Sequence, residues 1–205
     1  MKKKLTLLTV LMLTSVAALS QHDASLYFKE TRVNGIHGRF DIIPWYMYGM
    51  TPESPILLDV RYNFDAEKAV TGFIGKTFGG DSFTVTGALG YIGGPTYQGI
   101  SPEIYFWGRS GDFSFITLIQ PSFGVAGYQE CFYQWGEWLY AVAPHWDLGL
   151  SQQVYRDFLP GAETAIDLGL VLKATYGNLY AKVFAYGSPT QTEFVKVYAG
   201  IGVTF

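Results

Sequence analysis

This 205-residue chain has little of the chemistry that thiols, imidazoles or dense charge could organise. Cys131 is the single cysteine, which excludes an intramolecular disulfide and a thiolate metal cluster; it reads as a small residue in a loop or strand end. There are three histidines. His22 stands near the start of the secreted chain, His37 in an expected outer loop, and His145 beside Asp147 in an expected turn. No His-x-Ser, Gly-x-Ser-x-Gly, Walker, Rossmann or metal-ligand spacing occurs, so no base is set beside a nucleophile. The chain therefore reads as a non-enzyme without cofactors. Charged residues make up only 15% of it, where a soluble domain carries about 25%. The net charge of −3 gives no basic surface for nucleic acid. Beyond the first twenty residues, no apolar run reaches the roughly 18 residues that a spanning helix needs.

What is abundant points elsewhere. The chain is 49% hydrophobic and 17% aromatic, with 24 Gly, 15 Tyr, 15 Phe and 5 Trp, a composition suited to tight turns and to aromatic girdles at a membrane interface. Lys2, Lys3 and Lys4 precede an apolar run from Leu5 to Ala18, and Ala18-Leu19-Ser20 offers small residues for cleavage. Residues 1–20 are thus expected to be a signal peptide, and residues 21–205 the secreted domain. No lipoprotein cysteine follows the apolar run.

The last forty-five residues, Gly161 to Phe205, organise the rest. From Glu163 to Tyr176 apolar residues (Ile166, Leu168, Leu170, Leu172) alternate with Asp167, Gly169, Val171 and Lys173, a period of two that sets one face against the other. After a turn at Tyr176-Gly177-Asn178 the alternation resumes, with Leu179, Ala181 and Val183 against Tyr180, Lys182 and Phe184. It ends with Val197, Ala199, Ile201, Val203 and Phe205 against Lys196, Tyr198 and Gly200. Strands of about 9 to 11 alternating residues match a bilayer crossed at a tilt, and a closed barrel is the sheet that lipid tolerates, because closure leaves no backbone group unpaired.

A carboxy-terminal strand that alternates and stops on Phe205 resembles the assembly signal of bacterial outer-membrane β-barrel proteins. The resemblance covers that one strand and is to the broad class. It implies an all-β, transmembrane, antiparallel up-and-down barrel in the bacterial outer membrane, with lipid and the barrel-assembly machinery as partners. Taken in order, the chain offers strands at 25–33, 39–48, 56–64, 69–78, 83–91, 100–108, 113–123, 132–143, 146–156, 163–176, 178–186 and 195–205. Twelve strands return both termini to the periplasm. The alternative is ten strands, with 25–36 as an arm or plug and 137–155 as one long strand. Pro44 interrupts the second strand, whose Trp45, Tyr46 and Tyr48 suit an interface girdle.

On this assignment the lumen receives the acids Asp59, Glu103, Glu137, Asp147, Glu163 and Asp167 and the bases Arg61, Lys76, Arg109, Lys173, Lys182 and Lys196. Charges in a narrow lumen must be paired or hydrated, so an even balance favours an ion-pair network across the interior over a strongly charge-selective pore. Tyr105, Trp107, Tyr180, Phe184 and Tyr198 share that face and could stack on a flat solute. The expected function is a narrow passive channel or solute-binding barrel with a polar, aromatic-lined lumen and a small solute as partner. The alternative is a non-transporting structural barrel sealed by its own ion pairs, with a surface enzyme as the third reading.

Overall fold

The computed structural model of the protein describes residues 22–33, 36–62, 69–95, 97–189 and 191–204. Residues 1–20 and Phe205, expected to be the secretion and assembly signals, lie outside the described residues.

Alternation is realised as strands almost everywhere it occurs. The first half of the chain forms β1 (His22–Val33), β2 (Ile36–Tyr48), β3 (Leu57–Tyr62), β4 (Val70–Gly80), β5 (Phe83–Gly93) and β6 (Gln98–Ser110). The second half forms β7 (Phe113–Gly124), β8 (Cys131–Ala143), β9 (Trp146–Asp157), β10 (Ala165–Tyr176), β11 (Leu179–Ser188) and β12 (Gln191–Thr204). Each strand pairs antiparallel with its neighbours in sequence, and β1 closes the ring by pairing with β12. Closure satisfies both edges, which is what makes a sheet compatible with lipid. The ten-strand alternative does not occur: β8 and β9 are separate strands, and β1 is part of the wall. Pro44 does not break β2, where it stands opposite Leu26; the register of this pair shifts only farther along, between Thr31 and Arg32.

One end of the barrel carries four two-residue hairpin turns and the β2–β3 loop at 49–56. Gly111 and Gly177 adopt φ of 56° and 58° in two-residue turns, a backbone conformation that glycine reaches without penalty. At the Pro144-His145 turn, His145 takes a φ of 71°, the left-handed conformation of a tight turn. The opposite end carries the longer connections, among them 125–130 and 158–164.

Leu168 and Leu170 point outward and are 51% and 59% exposed, while Asp167, between Ile166 and Leu168, is buried inside. The same two-residue period holds around the ring, placing Val60, Ile74, Leu89, Leu150, Val183 and Ile201 on the outer surface. Exposed Phe78, Phe83, Phe113, Tyr140, Trp146 and Tyr176 all lie within a few residues of the short turns and form an outer aromatic belt there. Inside, several rings lie flat against the wall because the neighbouring strand offers a glycine. A Cβ on Gly200 would stand 2.4 Å from the Tyr27 ring, and one on Gly202 2.3 Å from Tyr180.

Candidate functional site

The interior is filled at mid-height. Tyr105, Leu118, Trp135, Leu139, Val171, Phe184 and Tyr186 form a buried cluster, with Tyr27, Trp45 and Met47 packed against it. Trp45 on β2 and Trp135 on β8 come from opposite walls, six strands apart in the ring, and meet edge to face with centroids 6.2 Å apart. Above this floor, toward the long loops, lies a cavity of about 420 Å³. Its lining runs from Trp45, Trp135 and Phe184 up to Ala69, Tyr97 and Ala165 at the mouth. Below it Tyr105, Leu139 and Val171 are all almost fully buried.

A polar crossbar sits at the same level. Arg61 on β3 bonds bidentately to Asp59, with Nε to Oδ1 at 3.1 Å and Nη2 to Oδ2 at 2.6 Å. It also reaches Glu103 and Tyr105 on β6, and donates across the lumen to Gln120 on β7 at 3.1 Å. Its guanidinium lies 4.5 Å from the Trp45 ring centroid, and the Trp45 indole N–H donates to Asp59 at 2.9 Å. Asp59 and Glu103 are both 0% exposed, so two buried carboxylates share one guanidinium. Glu103 Oε1 has no hydrogen-bond partner among the described residues.

Two further ion pairs join non-adjacent strands. Lys182 on β11 donates to both oxygens of Glu137 on β8, at 3.0 and 2.9 Å. Lys196 on β12 bonds Asp167 on β10. Lys173 and Lys182 stand directly opposite each other in the ladder, and Lys173 turns instead to Asp147 at 3.8 Å. The rings Tyr180, Phe184 and Tyr198 also face inward: Tyr180 donates to Asp23 at 3.0 Å, Phe184 stacks on Tyr186 at 5.9 Å, and Tyr198 donates to Gln153 at 3.2 Å.

Several expected lumen residues sit elsewhere. Arg109 is exposed at the turn end and donates to the carbonyl of Gly111 in its own hairpin. Glu163 is exposed in the loop before β10, which begins at Ala165. Lys76 shares strand parity with the outward-facing Ile74 and Phe78, and its amine caps the carbonyls of Pro52 and Ser54 in the β2–β3 loop. Trp107 keeps the inward parity opposite Ile116, which packs against the buried cluster. Trp45, expected in an interface girdle, instead faces the lumen. Asp23, Lys29 and Asp157 join the interior unforeseen, Asp157 accepting from the hydroxyls of Tyr97 and Tyr155 at the cavity mouth. His145 contacts the Tyr176 ring at the turn end, away from the cavity.

A closed ring of twelve antiparallel strands with an apolar exterior and a polar, aromatic interior is the fold of the small outer-membrane β-barrels. Solved structures of that class superimpose on this chain. A KdgM porin aligns with a TM-score of 0.64 at 10% identity, covering 88% of this chain and 99% of the porin. A NanC porin gives 0.64 at 9% identity over 89% and 98% of the two chains. The COG4313 outer membrane channel from Pseudomonas putida F1 gives 0.61 at 8% identity over 91% and 96%. No family model and no curated protein sequence matches the chain.

Proposed function

We propose that this chain is a solute-binding barrel of the channel kind, set in the bacterial outer membrane, whose lumen is narrowed to closure by Trp45, Trp135 and Arg61. The observation that carries the reading is the cavity on the long-loop side above rings that meet from opposite walls, which we read as its blind end. On this reading residues 1–20 are a signal peptide cleaved after Ser20, the barrel-assembly machinery engages the strand ending at Phe205, and both termini lie in the periplasm. The cavity then opens outward and the short turns face inward. The protein acts without a cofactor and without enzymatic chemistry: its fold neighbours bear the names of porins and channels.

Planar-bilayer recording tests this. Wild-type protein is expected to give low, brief conductance events, and the Trp45→Ala/Trp135→Ala double variant a several-fold larger and longer-lived conductance. A steady, wide-pore conductance from the wild type overturns the reading. A second reading, the sealed structural barrel, is favoured by the cross-lumen pairs Glu137–Lys182 and Asp167–Lys196. Under it, both the wild type and the tryptophan variant stay silent.

A further inference from the structure

The outer wall is not apolar all the way round. Val60, Ile74, Leu89, Leu150, Leu168, Val183 and Ile201 make an aliphatic band on it. On β7, β8 and β9 that band is interrupted by Thr117, Gln134 and Gln152. Their outward facing follows from their neighbours: Leu118 and Trp135 belong to the interior cluster, and Ser151 bonds the Tyr186 hydroxyl inside. In the ladder, Thr117 stands opposite Gly136, Gly136 opposite Gln152, and Gln152 opposite Leu168, so one row crosses β7 to β10. Gln134 lies in the next row, between Ile119 and Val154. Gln152 is the seventh of the twelve residues of β9, which puts the patch at mid-strand rather than at a rim. The patch is also flat. Trp138 folds along the wall over Gly136, where a Cβ would stand 2.9 Å from its ring and 3.3 Å from Thr117 Oγ1.

The two amides have used only part of their bonding capacity. Gln152 Nε2 donates to Gln134 Oε1 at 3.0 Å. A glutamine carries two N–H donors and a carbonyl, so the amide nitrogen of Gln134 and the carbonyl of Gln152 are left over. Neither meets a further partner among the described residues. Lipid tails supply none, which is why polar groups at membrane depth turn to protein or water. Lys76, also of outward parity, shows the ordinary solution: its amine is taken up by the carbonyls of Pro52 and Ser54. The leftover groups of the glutamine pair are a donor and an acceptor, and a two-fold interface needs a patch that complements itself in this way. Two copies in one membrane share an orientation, so their axis lies along the membrane normal and equal heights meet. Gln134 and Gln152 bond to each other and therefore stand at nearly one height. Gln134 of one protomer then reaches Gln152 of its partner, and the reverse contact forms by symmetry. We propose that the β7–β9 face docks a second copy of this chain in the membrane, through reciprocal bonds between Gln134 and Gln152 beside the flattened Trp138.

The proposal goes beyond the solute reading and rests only on the placement of the barrel in a membrane. Sedimentation equilibrium of the folded full-length barrel in density-matched mild detergent tests it, with a concentration-dependent dimer expected. Gln134→Leu/Gln152→Leu removes both partners of the amide bond together, so the barrel itself is left with no orphaned group. In this variant the dimer dissociation constant is expected to rise at least roughly tenfold, a step of about 1.4 kcal/mol. Cross-linking in membranes supplies an independent readout that does not need the leucine variant to fold. In a Cys131→Ser background, differently tagged Gln134→Cys and Gln152→Cys chains made together should form a mixed disulfide under mild oxidation. Val60→Cys, on β3 across the ring from β9, should not cross-link. A wild type that stays monomeric at every concentration, an unchanged dissociation constant in the leucine variant, or cross-linking through Val60→Cys as strong as through the glutamine positions overturns the proposal. Conductance decides nothing here: a monomer that opens and closes as proposed above loses the docking face and keeps its constriction. A wide or silent barrel that dimerises through these amides loses the constriction and keeps the face.

Discussion

At the residue scale, Arg61 is the group on which most of the interior converges. It joins β3 to β6 and β7 and holds Trp45 in place from above. Removing it leaves Asp59 and Glu103 buried without a countercharge. Arg61→Met is therefore expected to lose about 3–5 kcal/mol, read as a fall in the urea midpoint of the folded band on unheated gels. Glu103→Gln should behave in the opposite way. One oxygen of Glu103 has no donor, and the cluster holds one acid too many, so removing that charge should leave stability at or above the wild type. Equal losses in the two variants would refute this account of the cluster. The sequence disclosed the members of this group through their shared parity, but not the group itself. Asp59 and Arg61 meet Glu103 only because the ring brings β3 and β6 to one height, and spacing within a strand carries no information about height.

At the scale of the strand, legibility followed contrast between the two faces. β10, β11 and β12 could be read directly because their outer residues are aliphatic and their inner ones charged or aromatic. β2 could not: Ile43, Trp45 and Met47 on the inside are as apolar as Ile42, Pro44, Tyr46 and Tyr48 on the outside, so the period of two has no amplitude and does not reveal that Trp45 faces the lumen. Where a lumen is packed with rings rather than water, alternation fades at the very residues that fill it. Arg109 had the right parity but lies beyond the filled region, and Glu163 precedes its strand altogether. The facing itself is open to test. Leu168→Arg or Leu170→Arg should destabilise the inserted barrel by about 2–4 kcal/mol near the bilayer midplane. In a Cys131→Ser background, Leu168→Cys should react with bilayer-confined reagents and Asp167→Cys with small aqueous ones. The reverse labelling would falsify the assigned faces.

For the whole molecule, the strand count and closure followed from the spacing of turns, whereas the filling of the lumen did not. Even pairing of charges was expected, but a floor of rings was not, because Trp45 and Trp135 approach each other only across the full width of the ring. The proposed placement in the outer membrane makes its own demand on the chain. The protein is expected in the outer-membrane fraction as a heat-modifiable, sheet-rich species, and deletion of Phe205 should lower the yield of folded barrel while leaving secretion intact. Recovery as a soluble periplasmic monomer, or normal folding of the deletion variant, would count against that assignment.

On the proposed reading, the blind end of the cavity governs traffic as well as fit. A vessel with a single mouth must release what it takes in through the same opening, so its occupancy follows the outside concentration and nothing moves down a gradient while the floor holds. Throughput is then set by how often Trp45 and Trp135 part, not by the width of the barrel. Uptake would level off as the vessel fills, giving the saturating dose response of a turnstile instead of the linear response of a pipe.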